Sequence, residues 1–216
     1  MAEVAFPRIL DAKHLRSRAD ILARPSPVPQ MGGAYAWYFR RPPPGVDLTG
    51  CHRLDDLWLL YVGISPKPPP ADGRPGSRST LRKRLQTHLR GNAAGSTLRK
   101  TLGCLLAAQT GFPLRRVGSG QRMTFTNPGE QALDAWLDEN AFVAWHATPS
   151  PWLLERQILA SGLPLPLNIR DNPCLDHVLT LSAVRAAATA AALALPVVSD
   201  NGGARRRGAI ATSPTD

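Results

Sequence analysis

AYAWYF, residues 34–39, and WLLYVGI, residues 58–64, are the two stretches that decide the fold of this chain. Each is a run of aromatic and branched apolar residues bounded by glycine or proline, a pattern that predicts a β-strand. The connection between them, RRPPPGVDLTGCHRLDD, is long for a hairpin turn and indicates an elaborated loop. The core of the protein is therefore expected to start with two strands joined by an insertion.

The segments that follow alternate between helix and strand patterns. The loop PKPPPADGRPGSRS, residues 66–79, is rich in proline, glycine and serine and leads into two successive helices. Short strands among helices predict the α/β (α+β) class, a small domain with a short, mainly antiparallel sheet flanked by helices. The further predicted elements are a strand at 121–126, a helix at 128–140, a strand at 142–147, a helix at 150–162 and a last helix at about 175–194.

The 216 residues suit one domain with a hydrophobic core and extended ends. Prolines cluster before residue 30, so residues 1–30 are predicted to be an N-terminal extension and linker, with the segment KHLRSRADILAR (13–24) as a candidate for one helix. Residues 31–172 are the predicted domain, and residues 173–197 are a predicted C-terminal helix. Residues 198–216 have the composition of a disordered basic tail.

The charge of the chain is strongly positive and unevenly distributed. Lysine and arginine number 26 against 16 acidic residues, a net charge of +10. Between Lys67 and Arg122 there are twelve basic residues and a single acid, Asp72. A stretch of one sign on this scale indicates a polyanionic partner such as DNA or RNA, with an acidic lipid surface as a lesser alternative. A solvated basic surface is the plain explanation that stays open.

The cysteines and the apolar segments indicate the cellular compartment in which the protein is expected. The three cysteines are widely separated and form no Cys-x-x-Cys, which argues against a disulfide framework or a zinc site. The N-terminus lacks the basic start and apolar run of a signal peptide. The alanine-rich stretch 179–198 contains Arg185 and is better explained as a packed or amphipathic helix than as a membrane span. A cytoplasmic protein that does not use a membrane is expected.

The word STLRK occurs twice, at 79–83 and at 96–100, and each copy resembles the start of a helix with serine as the N-cap. Each copy also places two cations in the first helical turn: Arg82 and Lys83, then Arg99 and Lys100. Cations at this positive end of the helix dipole cost about 0.3–1 kcal/mol. An anionic ligand is the expected compensation.

Five short segments together resemble the GIY-YIG nuclease superfamily. They are GAY (33–35), YVG (61–63), LRKRLQTH (81–88), LLERQI (153–158) and PLN (166–168). The resemblance spans about residues 31–172. It implies DNA cleavage with Mg²⁺ or Mn²⁺ as cofactor. The long insertion between the tyrosine motifs resembles the restriction-endonuclease-like members.

The resemblance implies roles for individual residues. Tyr35 corresponds to the tyrosine that acts as general base or its proton relay, and Tyr61 to the one that orients water or phosphate. Gly63 corresponds to the glycine that lets the backbone approach the substrate. His88 corresponds to a histidine of the restriction enzymes. Asn168 corresponds to the asparagine of the loop after the helix.

Two further residues that correspond to family positions are charged. Arg84 corresponds to the arginine that neutralises the scissile phosphate, and Glu155 to the single carboxylate that holds the metal. Phosphodiester hydrolysis builds negative charge on phosphorus, so positive charge must be placed there in advance. Magnesium ion keeps much of its water shell and so needs few protein ligands. Arginine's planar fork suits phosphate better than lysine.

The two STLRK copies are then interpreted as phosphate contacts. The first, with Arg82 and Lys83, is expected to face the site, where charge-assisted contacts offset the helix-dipole cost. The second, with Arg99 and Lys100, is expected to grip the DNA backbone that flanks the cut.

Ile64 departs from the family pattern, because many members have lysine directly after the second motif's glycine. Lys67 or Arg82 is a candidate to supply that charge. If neither residue supplies the charge, the alternative to a nuclease is a catalytically weak or inactive DNA- or RNA-binding module of the same fold. A membrane-surface protein is a distant third.

Glu130, Asp134 and Asp138 share one helix face, interpreted as exposed acids rather than a second metal site. The sequence does not specify the oligomeric state or the DNA sequence recognised.

Overall fold

The computed structural model describes residues 9–10, 13, 15–170 and 172–200. Its strands are β1 (Arg16–Ser17), β2 (Gly33–Phe39), β3 (Arg53–Leu54), β4 (Leu57–Ser65), β5 (Arg115–Val117), β6 (Arg122–Thr124) and β7 (Ala141–Ala147). Five of them form one sheet in the order β1-β7-β2-β4-β3, and each neighbouring pair is antiparallel. β5 and β6 form a separate hairpin.

Six helices complete the described part of the chain and pack on both faces of the sheet. They are α1 (Arg18–Leu22), α2 (Leu81–Arg90), α3 (Thr97–Thr110), α4 (Thr126–Asn140), α5 (Pro151–Ala160) and α6 (Leu175–Ala194). The α+β class with a mainly antiparallel sheet, predicted from the sequence, is confirmed.

β2 is the central strand, and all seven of its residues are buried. Side chains alternate between the faces of a strand. Tyr35 and Trp37 accordingly pack with leucines of α2, α3 and α4 on one face. Ala34 and Tyr38 pack with Leu154 and its neighbours in α5 on the other. This alternation explains why the run AYAWYF is apolar throughout.

The segment predicted to be an N-terminal extension is part of the domain where the structure describes it. β1 pairs with the edge of β7, and α1 follows with a capping box made by Ser17 and Asp20. Ile21 and Val28 are completely buried in the main core. The helix expected within residues 13–24 corresponds to α1. The rest of residues 15–30 is part of the domain and not a linker, because its apolar side chains complete the core.

A buried ion-pair network joins α1, α3 and α4. Arg99 contacts Glu130 and Asp134 at 2.7 Å each, and Arg18 contacts Asp134 and Asp138 at 2.8 Å each. Glu130 is 3% exposed and Asp134 9%, so the interpretation of this helix face as exposed acids is wrong for these two. Their carboxylates neutralise arginines inside the protein.

The predicted C-terminal helix corresponds to α6, which packs against α3 and β5. Among the described residues, α6 alone is long and apolar enough to cross a membrane by length and composition, and 11% of it is buried. Val198, just beyond it, pairs with the β5–β6 hairpin through Gly118 and Arg116. The rest of the predicted tail, residues 201–216, lies outside the described residues.

Candidate active site

A cleft of about 1330 Å³ lies where β2 and β4 meet α2, α3, α5 and α6. The predicted site residues that line it are Tyr35, Tyr61, Gly63, Arg84, Lys100, Glu155 and Asn168. Residues more than a hundred positions apart in the sequence thus reach one concave surface, the usual form of a ligand site.

Tyr35 is the centre of a buried polar cluster at the base of this cleft. Its hydroxyl lies 2.9 Å from Nε2 of His88, and Nε of Arg84 donates a hydrogen bond to it at 3.4 Å. The ring of Tyr61 lies 6.5 Å from that of Tyr35. β2 supplies Tyr35, β4 supplies Tyr61, and α2 supplies both Arg84 and His88 because residues four apart share a helix face.

Gly63 makes room for Tyr35. The two residues are paired across β2 and β4, and a Cβ at position 63 would lie 2.6 Å from the Tyr35 hydroxyl oxygen. Any larger residue would displace the tyrosine. The glycine thus sets the position of the Tyr35 hydroxyl, a role that differs from the predicted close approach of the backbone to the substrate.

Ser96 is a site residue that the sequence did not single out. Its hydroxyl oxygen lies 2.7 Å from Nδ1 of His88, and it also accepts a hydrogen bond from the backbone N–H of Arg99 at 3.1 Å. Both His88 and Ser96 are buried. A chain of hydrogen bonds therefore runs from Tyr35 through His88 to the start of α3. The repeated STLRK word was the available signal, since it marks Ser96 as a helix cap.

The two copies of STLRK start their helices in different registers. Thr80 caps α2 by accepting a hydrogen bond from Lys83 N–H, whereas Ser96 caps α3 by accepting from Arg99 N–H. The predicted serine cap is therefore wrong for the first copy. The leucines of the two copies both enter the main core. The two helices pack against different elements, because α2 contacts α1, β2 and β4 whereas α3 contacts α6.

The four cations of the two copies consequently have four different environments. Arg99 is 1% exposed and bound within the ion-pair network, so the prediction that it grips DNA is wrong. Nε of Arg82 donates to the carbonyl oxygen of Val28 at 2.6 Å and holds the N-terminal segment. Lys83 is exposed on α2 outside the cleft lining, and Lys100 lines the cleft.

Burial controls the protonation of the buried cluster. It raises the pKa of Tyr35 above the usual value of 10.0, while the neighbouring Arg84 opposes the rise. It raises the pKa of Tyr61 as well. It also holds the pKa of His88 well below its usual 6.5, assisted by the charges of Arg84 and Arg99. At neutral pH the tyrosines are therefore protonated and His88 is a neutral imidazole that can accept a proton.

Glu155 brings a carboxylate to the cleft from α5. It is half-buried, and its negative charge raises the pKa of both Tyr35 and Tyr61, so it lies within electrostatic reach of the cluster. No group of three or more histidine, cysteine, aspartate or glutamate side chains suited to a metal occurs in the part of the chain that the structure describes. One carboxylate facing an open cleft fits Mg²⁺ or Mn²⁺, which take their other ligands from water and phosphate oxygens.

Asn168 braces the backbone of β4. Its Nδ2 donates to the carbonyl oxygen of Val62 at 2.8 Å, and its Oδ1 accepts from Val62 N–H at 2.9 Å. Asn172 in turn donates to the backbone oxygen of Asn168 at 2.9 Å. Val62 lies between Tyr61 and Gly63, so these two hydrogen bonds hold the strand at the YVG motif. Asn168 also lines the cleft.

Ile64 occupies the cleft lining at the position where many family members have lysine. Of the two residues considered as replacements, Lys67 lines the same cleft and Arg82 does not. Lys67 is thus the cation that can act in place of the missing side chain.

Residues 33–187 match the family described as the GIY-YIG catalytic domain. The match covers most of the chain, and the protein therefore belongs to the GIY-YIG family, as the sequence motifs predicted. Membership supports a nuclease function in general, with endonuclease hydrolysis as the chemistry and DNA as the substrate that such domains imply. Searches among curated proteins and solved structures give no significant match.

Proposed function

We propose that this protein is a metal-dependent endonuclease that hydrolyses DNA phosphodiester bonds. The observation that carries the proposal is the placement of the Tyr35 hydroxyl between neutral His88 and cationic Arg84, in a cleft that also holds Glu155. A proton acceptor, a phosphate-binding cation and a metal-binding carboxylate are the three groups that this reaction needs.

In this mechanism Tyr35 accepts a proton from the attacking water. Its own proton passes to Nε2 of His88, 2.9 Å away, so that a free tyrosinate need not accumulate at neutral pH. The water oxygen forms the new bond to phosphorus, and the bond from phosphorus to the leaving nucleotide oxygen breaks. Ser96 holds the imidazole by Nδ1 and keeps Nε2 directed at Tyr35.

Arg84 contributes positive charge at the point where negative charge develops on the phosphoryl oxygens. Its hydrogen bond to Tyr35 also favours the developing negative charge on the tyrosine oxygen. Glu155 would hold the divalent ion, which when bound polarises the phosphate as a Lewis acid.

The long connection over residues 40–56 supports a restriction-type role, in line with the resemblance to members that carry such an insertion. A restriction role predicts that expression is toxic without a matching methyltransferase. Survival of cells that express the active protein alone would favour a repair or recombination role.

The test of the proposed function is nicking of supercoiled plasmid DNA with Mg²⁺ or Mn²⁺. Tyr35→Phe is expected to lower turnover by at least about 100-fold, the usual effect of losing an acid–base group. Glu155→Gln is expected to lower it at least as much, because the carboxylate that would hold the metal ion is lost. Glu139→Gln and Tyr38→Phe are the matched controls, because Glu139 is exposed on α4 and Tyr38 bonds to Ile9 on the opposite face of β2.

The outcomes separate the nuclease from the alternative binding module. Cleavage that needs metal and is lost only in the two site variants supports the nuclease. Tight binding of plasmid, branched and single-stranded DNA without cleavage supports the binding module. Ile64, which lines the cleft in place of the usual lysine, is the feature that favours this alternative. In that case Ile64→Lys is the next variant to assay.

A further inference from the structure

Lys100 and Arg185 form a second cationic group in the cleft, contributed by α3 and α6. Nζ of Lys100 donates a hydrogen bond to the hydroxyl of Thr189 at 3.3 Å. Thr189 is four residues after Arg185 on α6, so Lys100 lies one helical turn from the arginine. Burial raises the pKa of the Cys104 thiol, and the charges of Lys100 and Arg185 both oppose that rise, so the two cations lie near the same thiol.

Within the described residues, neither cation belongs to an ion pair with an acid; the pairs involve Arg18, Arg40, Arg74 and Arg99. Nε of Arg185 is in addition buried without a hydrogen-bond partner among these residues. A buried guanidinium nitrogen that lacks an acceptor carries a desolvation cost. The guanidinium as a whole lines the cleft with no acid paired to it among the described residues, a setting that favours an anionic ligand.

The same cleft contains Arg84 and Glu155, so one ligand can contact both groups of residues. A cleft of about 1330 Å³ exceeds the size needed for a single phosphate. A polymer with regularly spaced phosphates meets both groups at once, whereas a small anion meets one. The arrangement therefore favours a nucleic-acid backbone.

We propose that Lys100 and Arg185 bind a backbone phosphate of the DNA strand that flanks the scissile bond, and that α6 is part of the DNA-binding surface. This inference rests on the proposed nuclease function. Lys100 keeps the role expected for the second STLRK copy, and Arg185 replaces the buried Arg99 as its partner. Arg185 then has a function in a helix otherwise made mostly of small apolar residues.

The test measures binding of a fluorescent DNA duplex at a series of salt concentrations. Wild type, Lys100→Ala/Arg185→Ala and Arg53→Ala/Arg90→Ala are each assayed on the Glu155→Gln background, so that binding is separated from cleavage. We expect the site pair to lose about ten-fold in affinity near 0.1 M salt and to reduce the slope of log K against log salt by about 1 to 2. The control pair removes the same charge from exposed residues outside the cleft lining and should match wild type.

A second measurement is cleavage with Glu155 restored. In Lys100→Ala/Arg185→Ala the loss should fall mainly on KM, by about ten-fold, with a smaller effect on kcat, because a flanking contact acts mainly on binding. Arg185→Lys should recover part of the lost affinity, which also shows that α6 tolerates substitution at this position.

Three outcomes would overturn the inference. If the double variant keeps the wild-type salt slope and the wild type cleaves DNA, the phosphate contact is refuted and the proposed function stands. If the wild type neither binds nor cleaves DNA, both the phosphate contact and the proposed function are refuted. Flotation with phosphatidylserine vesicles that the double variant loses, with DNA affinity unchanged, would instead make α6 a lipid-binding helix.

Discussion

At the scale of single residues, the properties of the site follow from burial. Tyr35 is 1% exposed and His88 is fully buried, so each is held in its neutral form unless a proton moves between them. Gly63 allows the Tyr35 hydroxyl to occupy its position, and Arg84 is the cation nearest to it. In the mechanism that we propose, this pair of neutral groups passes a proton when substrate brings a water to Tyr35.

Ser96 provides the prediction at this scale. Ser96→Ala removes the hydrogen-bond partner of His88 Nδ1, so the imidazole is held less firmly in the orientation that directs Nε2 at Tyr35. We expect kcat to fall about ten-fold or more with KM nearly unchanged, and Ser96→Thr, which keeps the hydroxyl, to retain most of the activity.

The pH profile distinguishes this positioning role from a loss of helix capping, which costs about 1 kcal/mol. Catalysis needs neutral His88, whose pKa lies well below 6.5, so wild-type kcat/KM should be level between about pH 7 and 8 and fall only in acid. A Ser96→Ala profile of the same shape, with a loss of activity equal to its loss of folded protein, would contradict the positioning role.

At the scale of elements, α3 connects the catalytic residues to the frame of the protein. Ser96 at its first turn holds the ring of His88, and Arg99 one turn later donates to the backbone oxygen of His88 at 3.1 Å. Arg99 also binds Glu130 and Asp134 of α4. The helix α2 that carries Arg84 and His88 is therefore fixed through α3 to α4.

Arg99→Ala is the prediction that belongs to this scale. Among the described residues, it leaves the buried carboxylate of Glu130 without an ion-pair partner and that of Asp134 with Arg18 alone, and breaking such a buried pair typically lowers the free energy of unfolding by about 3–5 kcal/mol. Arg90→Ala, at an exposed position on α2, should change it by less than about 0.5 kcal/mol. Urea denaturation measures both. A stable Arg99→Ala protein with weakened DNA binding would restore the role expected from its sequence.

At the scale of the whole molecule, segments that precede and follow the GIY-YIG motifs in the sequence complete the domain. β1 and α1 cover the edge of β7 and the core beneath α2, and α6 forms a wall of the cleft. The active site is therefore composed from the chain between its first described strand and its last helix. The family match from residue 33 describes the catalytic part, and residues 15–30 add to its core.

Truncation tests this dependence. A protein that starts at residue 31 loses Ile21 and Val28 from the core and the Arg18 partner of Asp134. Each buried aliphatic side chain contributes about 1.5–3 kcal/mol, and total domain stabilities are about 5–15 kcal/mol, so we expect a large fall in the thermal midpoint or failure to fold. A protein lacking residues 1–8 is the control. Equal midpoints for the two would show that residues 15–30 do not stabilise the domain.

The sequence by itself determined the strands at Tyr35 and Tyr61, the helices that carry Arg84 and Glu155, and the family, because these depend on local periodicity and short motifs. The tertiary structure alone decided that Arg99 is buried, that Ser96 holds His88, that Asn168 braces β4 and that Arg185 faces the cleft. The physical reason is that the partners of a polar side chain depend on which elements pack together. The two STLRK copies have the same local pattern, but their cations meet different partners because α2 and α3 pack against different elements.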